Sequence, residues 1–184
     1  MSESSKPNSK LSLWIVGPGE GNPLKHFLAW RRQTKSTGGF AFAHADTTLH
    51  RNLELRDNFF LALGESPSSM PWAEKDQYVK NILEREGLSP LLRWLPKGPA
   101  HLSSLTHQER IIASLCHAFL QRADLTLLDL REATLSELCR AQLHQVLSTR
   151  KGHVVIAAPE RETWNPCHPE AFHPCTPLTF KKVA

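Results

Sequence analysis
Hydrophobic positions recur along this chain with two periods, and the switch between them marks alternating strands and helices. Residues 11–16 (LSLWIV) form a short apolar run that reads as a strand. It runs into a Gly/Pro loop at residues 17–23, where Asn22 is a good N-cap and Pro23 suits the first helical position. A helix over about 23–31 follows, with Leu24, Phe27 and Leu28 on one face. Residues 39–44 (GFAFAH) alternate as a strand does. Residues 53–63 (LELRDNFFLAL) return to helical spacing, and Gly64 stops them. Residues 71–86 predict a helix with Trp72, Tyr78, Val79, Ile82 and Leu83 turned inward and Gly87 as its terminal cap. A short apolar stretch at 88–95 is broken by KGPA at 97–100.

The second half is the most legible. Thr106 and Glu109 make a capping box before a helix with Ile111, Ile112, Leu115, Cys116, Phe119 and Leu120 on one face. Residues 125–130 (LTLLDL) predict a strand buried on both faces and ending in Asp129. Thr134 and Glu137 read as a second capping box, opening a helix that presents Leu138, Cys139, Leu143, Val146 and Leu147 and ends at Gly152. Residues 153–158 (HVVIAA) are a further buried strand. Strand, helix and strand within this span predict a parallel βαβ unit with a right-handed crossover, and hence an α/β fold. Residues 1–10 read as a mobile polar tail, and 161–184, rich in proline, as an extended one.

Composition narrows the function classes. The chain has 184 residues, 40% hydrophobic and 22% charged, which suits one domain with a buried core and excludes wholesale disorder. Its apolar runs fall well short of the roughly 20 residues of a membrane span. The first ten residues hold no apolar stretch of the kind a secretory signal needs. Lys and Arg total 22 against 18 Asp and Glu, a net charge of +4. The densest basic pairs, Arg31-Arg32 and Lys181-Lys182, are too thin for a nucleic-acid stripe, while weak attraction to an anionic membrane face or an acidic partner stays open.

Cys116 and Cys139 fall in apolar helical patterns, as buried thiols of a reduced cytosolic chain do. Cys167, His168, His173 and Cys175 are zinc-capable residue types, but their spacing matches none of the common structural patterns, so a zinc site and plain tail residues are both open readings. His117, His144 and His153 read as packing or surface residues. Trp14, Trp30, Trp72 and Trp94 read as core or interface anchors, and Trp164 as the best docking residue of the tail.

The order of the pieces is strand, Gly-rich loop, helix; strand followed by LELRDN; capped helix; buried strand ending in Asp; helix; buried strand. It resembles the nucleotide-binding domain of ABC transporters, a P-loop NTPase fold, in a shortened and degenerate form. The resemblance covers about residues 11–160, with a helical subdomain at about 53–100, and is most specific over 53–158. The family's phosphate loop, G-x-x-x-x-G-K-[ST], falls on residues 17–24. Gly17 and Gly19 fit its opening and Gly21 lies within it. Asn22 stands for the second glycine, Pro23 for the lysine and Leu24 for the magnesium-binding hydroxyl, with Lys25 two positions late. LTHQER at 105–110 falls where the family's L-S-G-G-Q-R signature lies, with His107 and Gln108 in place of its glycines and Glu109, a carboxylate that would repel phosphate, in place of its glutamine. Asp129 takes the place of the magnesium-orienting aspartate, Leu130 that of the catalytic glutamate, Arg131 that of the proline after it, and Pro159 that of the switch histidine. The glutamine expected near Ala45 is absent. Between Pro23 and Ala45 the chain is too short for the usual antiparallel subdomain.

What the resemblance implies is a pseudo-ATPase: a structural or regulatory cytosolic component of a membrane-associated assembly for transport or secretion. Hydrolysis is expected to be lost, since phosphoryl transfer depends on positioned charge. The expected degenerate nucleotide site is Gly17, Gly19, Gly21, Asn22, Lys25 and Asp129, with no catalytic residue and at most weak ATP and magnesium binding. A plain Gly/Pro turn at 17–23 and a loop-capping Asp129 are the competing readings of those residues. Expected partners are a membrane permease or a second ATPase-like subunit, met through residues 53–95, in a homo- or heterodimer, with membrane contact only through the partner and no nucleic acid. Two other readings stand beside this one. The first is a weak ATPase using Lys25 and Asp129; the second is a soluble protein-binding adaptor on the same scaffold.

Overall fold
The computed structural model describes residues 12–16, 39–44, 48–65, 70–123, 125–131, 133–149 and 153–157. Four short strands, β1 (Ser12–Val16), β2 (Phe40–His44), β3 (Leu125–Asp129) and β4 (His153–Ala157), form one sheet in the order β1-β4-β3-β2. Every pairing is parallel. The βαβ unit is therefore present, with β3 and β4 adjacent and α5 (Glu137–Thr149) between them in the chain.

Between β2 and β3 lie α1 (Leu55–Ala62), α2 (Trp72–Arg85), the single turn α3 (Ser89–Leu92), a 3₁₀ turn at Leu102–Ser104 and α4 (His107–Leu120). Gly64 and Gly87 sit at φ of 75° and 72°, the left-handed region that ends α1 and α2 at low steric cost. Thr106 caps α4 in both directions: its hydroxyl accepts from the Glu109 amide at 3.2 Å, and Glu109 accepts from the Thr106 amide at 2.8 Å. Beyond the predicted face, Ala113, Ser114, His117 and Ala118 are also buried, so α4 is enclosed over most of its circumference.

Alternation along the strands sorts the sheet's two faces. Ala41, Ala43, Leu128, Val154 and Ile156 join the large core with the five helices. Leu125 and Leu127 form a second cluster on the opposite face, with Phe40 and Phe42 packed against it.

Three expectations need correction. The cap of α5 is Ser136, whose hydroxyl accepts from the Cys139 amide at 3.3 Å, and the helix begins at Glu137, so Thr134 and Glu137 do not form the expected box. Leu138, expected inward, is 49% exposed. In α2, Val79, Ile82 and Leu83 are buried as expected, whereas Trp72 and Tyr78 are half-buried. Tyr78 stacks on Phe60 at 5.2 Å and donates its hydroxyl to Glu65 at 2.9 Å. The predicted helix over 23–31 and both tails lie outside the described residues.

Candidate functional site
All four strands point the same way, so their carboxyl ends share one edge. The register sets His44 beside Asp129, Asp129 beside Ala157, and Ala157 beside Val16. The connection from β1 crosses two strands to reach β2, whereas those from β2 to β3 and β3 to β4 step back the other way. In open α/β sheets ligands bind outside the carboxyl ends of the strands where such connections diverge. Asp129 is the one carboxylate in this row, at the end of an inner strand.

Its carboxylate is already engaged. Arg131 Nε donates to Oδ1 at 2.9 Å and Nη2 to Oδ2 at 2.7 Å, a two-pronged charge-assisted pair. The Arg131 backbone amide adds a 3.3 Å bond to Oδ1, the loop-capping geometry of an aspartate at a strand end. Burial pushes the Asp129 pKa up. The Arg131 side-chain and backbone hydrogen bonds, the Arg131 charge and a smaller contribution from His44 outweigh that, and the carboxyl stays below its ordinary range.

The next residue offers no base. Leu130 is 3% exposed, belongs to the large core, and donates its amide to the Ala157 carbonyl at 2.8 Å. Across the edge, the His44 amide donates to Thr48 Oγ1 at 2.7 Å. Its carbonyl accepts from the hydroxyls of Thr48 and Ser114, each at 3.0 Å. This end of β2 is thereby pinned to α4.

At the start of α4, the Glu109 carboxylate turns back onto the Thr106 amide and hydroxyl, each at 2.8 Å. It covers the helix N-terminus rather than projecting outward as the resemblance implies. Gln108 Oε1 accepts from the Ser136 amide at 3.4 Å and so links the starts of α4 and α5. Residues 56–58, the RDN of the resemblance, act within the helical region. Arg56 pairs with Asp76, Lys75 with Asp57, and Asn58 accepts from the His50 amide at 2.7 Å while donating to the carbonyls of His50 and Glu54.

Of the expected nucleotide-site residues, Asp129 lies at the strand edge; Gly17, Gly19, Gly21, Asn22 and Lys25 lie outside the described residues, as do Cys167, His168, His173 and Cys175. Among the described residues no group of three or more His, Cys, Asp or Glu is placed to hold a metal ion. A magnesium ion with its nucleotide, which the resemblance implies, fits the described side of this edge poorly: both Asp129 oxygens accept from the Arg131 guanidinium and Leu130 brings no oxygen ligand. Sequence reasoning missed the Arg131 pairing, although its signal, an aspartate at a strand end with an arginine two residues on, was visible. No helix among the described residues is long and apolar enough to cross a membrane.

No family model and no curated protein matches this sequence. Among solved structures, a chain of the one described as an inward-facing conformation of a metal-chelate type ABC transporter shares its fold, with a TM-score of 0.55, 14% identity and 85% of this chain covered. This chain spans 65% of the length of that one. At so low an identity the likeness is one of architecture: a parallel sheet flanked by helices, arranged as in a chain of an ABC transporter.

Proposed function
We propose that this protein is a catalytically degenerate ABC-type ATPase subunit, a structural or regulatory component of a membrane-associated assembly rather than a motor. The observation that carries the reading is Leu130. Hydrolysis of a phosphoanhydride needs a group to orient and deprotonate water beside the aspartate at the strand end. Here that position holds an aliphatic side chain sunk in the core at 3% exposure. Support also comes from the fold shared with an ABC transporter chain. The helices α1 to α3 stand where the resemblance places the contact with a membrane subunit. They are braced internally by the Arg56–Asp76 and Lys75–Asp57 pairs, which suits a rigid docking element.

The test is a sensitive phosphate-release assay on the purified full chain with ATP and magnesium, run beside Asp129→Asn. Release that equals the buffer rate in both supports the reading. Release by the unaltered chain that Asp129→Asn abolishes overturns it in favour of a weak ATPase. A pull-down without added nucleotide then tests the assembly: recovery of a membrane permease supports the subunit role, and recovery of soluble proteins alone favours the adaptor.

A further inference from the structure
The pairing at the strand edge has chemistry of its own. The two members differ in exposure: the Asp129 side chain is 9% exposed and that of Arg131 is 37%. The carboxylate is thus nearly enclosed, and the cation beside it reaches solvent. The Arg131 backbone amide is held by the same carboxylate at 3.3 Å, so the turn that returns the guanidinium to Asp129 is itself anchored there. A planar guanidinium held in a fork loses little further freedom on pairing and stays charged at any working pH.

We propose that Arg131 is the resident cation of this edge and that it keeps divalent metal ions off Asp129. The inference deepens the function proposed above and takes from it only the expectation that a divalent ion is the competitor. A hard divalent ion binds carboxylate oxygen at about 2.0–2.6 Å and needs a lone pair directed at it. Here Oδ1 accepts from Arg131 Nε at 2.9 Å and from the Arg131 amide at 3.3 Å, and Oδ2 gives one of its two lone pairs to Nη2 at 2.7 Å. A metal chelated by both oxygens would have to displace the guanidinium, and one held by Oδ2 alone would sit against its positive charge. Among the described neighbours, Leu130 follows Asp129 directly and is aliphatic and buried, so it brings no compensating ligand. Arg131 is a positioning residue in this account. It acts through Asp129, holding the loop and supplying the charge that a metal supplies elsewhere.

The experiment is a manganese(II) titration of the full chain, free ion followed by electron paramagnetic resonance, without nucleotide. It compares the unaltered protein, Asp129→Asn, Arg131→Gln and the double variant Arg131→Gln/Asp129→Asn. The expected result is no Asp129-dependent uptake by the unaltered chain. Arg131→Gln should gain one site at least roughly tenfold tighter than anything seen before, lost again in the double variant. Asp129-dependent uptake by the unaltered protein overturns the proposal, and so does a folded Arg131→Gln that takes up no manganese. The unaltered arm stands alone should the variant fail to fold. Phosphate release by the unaltered chain would sink the pseudo-ATPase reading and leave this result standing, so the two failures are distinguishable.

Discussion
Arg56 and Asp76 close a buried ion pair that ties α1 to α2. Arg56 Nε donates to Asp76 Oδ1 at 2.7 Å, Nη2 lies 2.6 Å from the same oxygen, and the side chains are 4% and 8% exposed. Lys80 holds the other oxygen at 2.6 Å, and Arg56 Nη2 also donates to the Pro96 carbonyl at 3.1 Å. One helix pair and the loop after α3 are thereby joined through the Arg56 guanidinium. Asp76→Asn is expected to destabilise the fold by about 3–5 kcal/mol, because it leaves Arg56 charged in a dry site. Replacing both partners by apolar residues, as in Arg56→Met with Asp76→Leu, is expected to cost less than the single change. Urea unfolding midpoints of the three proteins check the order.

The same carboxylate carries an acid sensitivity. Burial raises the Asp76 pKa, but hydrogen bonds from Lys80 and then Arg56, with the charges of both, bring it below the ordinary value. The group is ionised in the folded state at a pH where the unfolded chain already takes up a proton. Its contribution is therefore complete above the unfolded carboxylate range and fades as pH falls through the lower folded value. Asp76→Asn should flatten the acid limb of the stability curve, measured as unfolding free energy from pH 6 down to pH 2.

His117 works in a different window. It is 7% exposed on α4, and burial pushes its pKa down to about 4, with the charge of His50 adding to the shift. Gln121 Nε2 lies 3.2 Å from its Nδ1. The unfolded chain protonates near 6.5 and the folded one near 4, so the unfolded state binds more protons between those values. Stability is full above about pH 6.5 and falls as pH drops towards 4, by up to roughly 3 kcal/mol. His117→Gln keeps a polar side chain without the titration. Its urea midpoint should move less between pH 7.5 and pH 4.5 than that of the unaltered protein.

How far each of these features could be read in the sequence depends on whether its cause is local. The apolar faces of α2 and α4 were legible because the core decides them position by position, and the Thr106 box because its bonds close within four residues. The cap of α5 was ambiguous: Thr134 and Ser136 both precede an apolar run, and only the backbone shows that Ser136 takes the bond. Lys75 and Asp76 lie outside the apolar face that the spacing of α2 predicts. They are buried because α1 brings Asp57 and Arg56 to them, a pairing that spacing within α2 does not reveal. The Asp129–Arg131 fork spans only two residues. Its meaning depends on β3 being an inner strand that ends at the edge, which no local pattern states.

The corrected cap gives a sharp comparison. Ser136→Ala should cost about 1 kcal/mol by leaving the Cys139 amide without its acceptor, whereas Thr134→Ala should be near neutral. Thr106→Ala should cost at least as much as Ser136→Ala, since the Thr106 hydroxyl both accepts from the Glu109 amide and donates to the Glu109 carboxylate. Thermal melting of the three variants separates the two assignments of the α5 start; an equal loss for Thr134→Ala and Ser136→Ala would count against Ser136 as the cap.

The absent base can be put back, and the structure says what should follow. Leu130→Glu restores the residue type that the resemblance places after the strand aspartate, yet position 130 is 3% exposed within the large core. The cation next to it in the chain, Arg131, is committed to Asp129. The new acid would have to stay protonated, or drag the turn at 130–133 outward and break the Leu130 amide's bond to Ala157. Either way a loss of at least about 2 kcal/mol is expected, with no phosphate release above the unaltered chain. Combining Leu130→Glu with Arg131→Gln should not rescue hydrolysis either, because the burial at 130 comes from packing against the helices and not from the ion pair. Measured activity in that double variant would show that the turn can reorganise, and that only two side chains separate this scaffold from a working site.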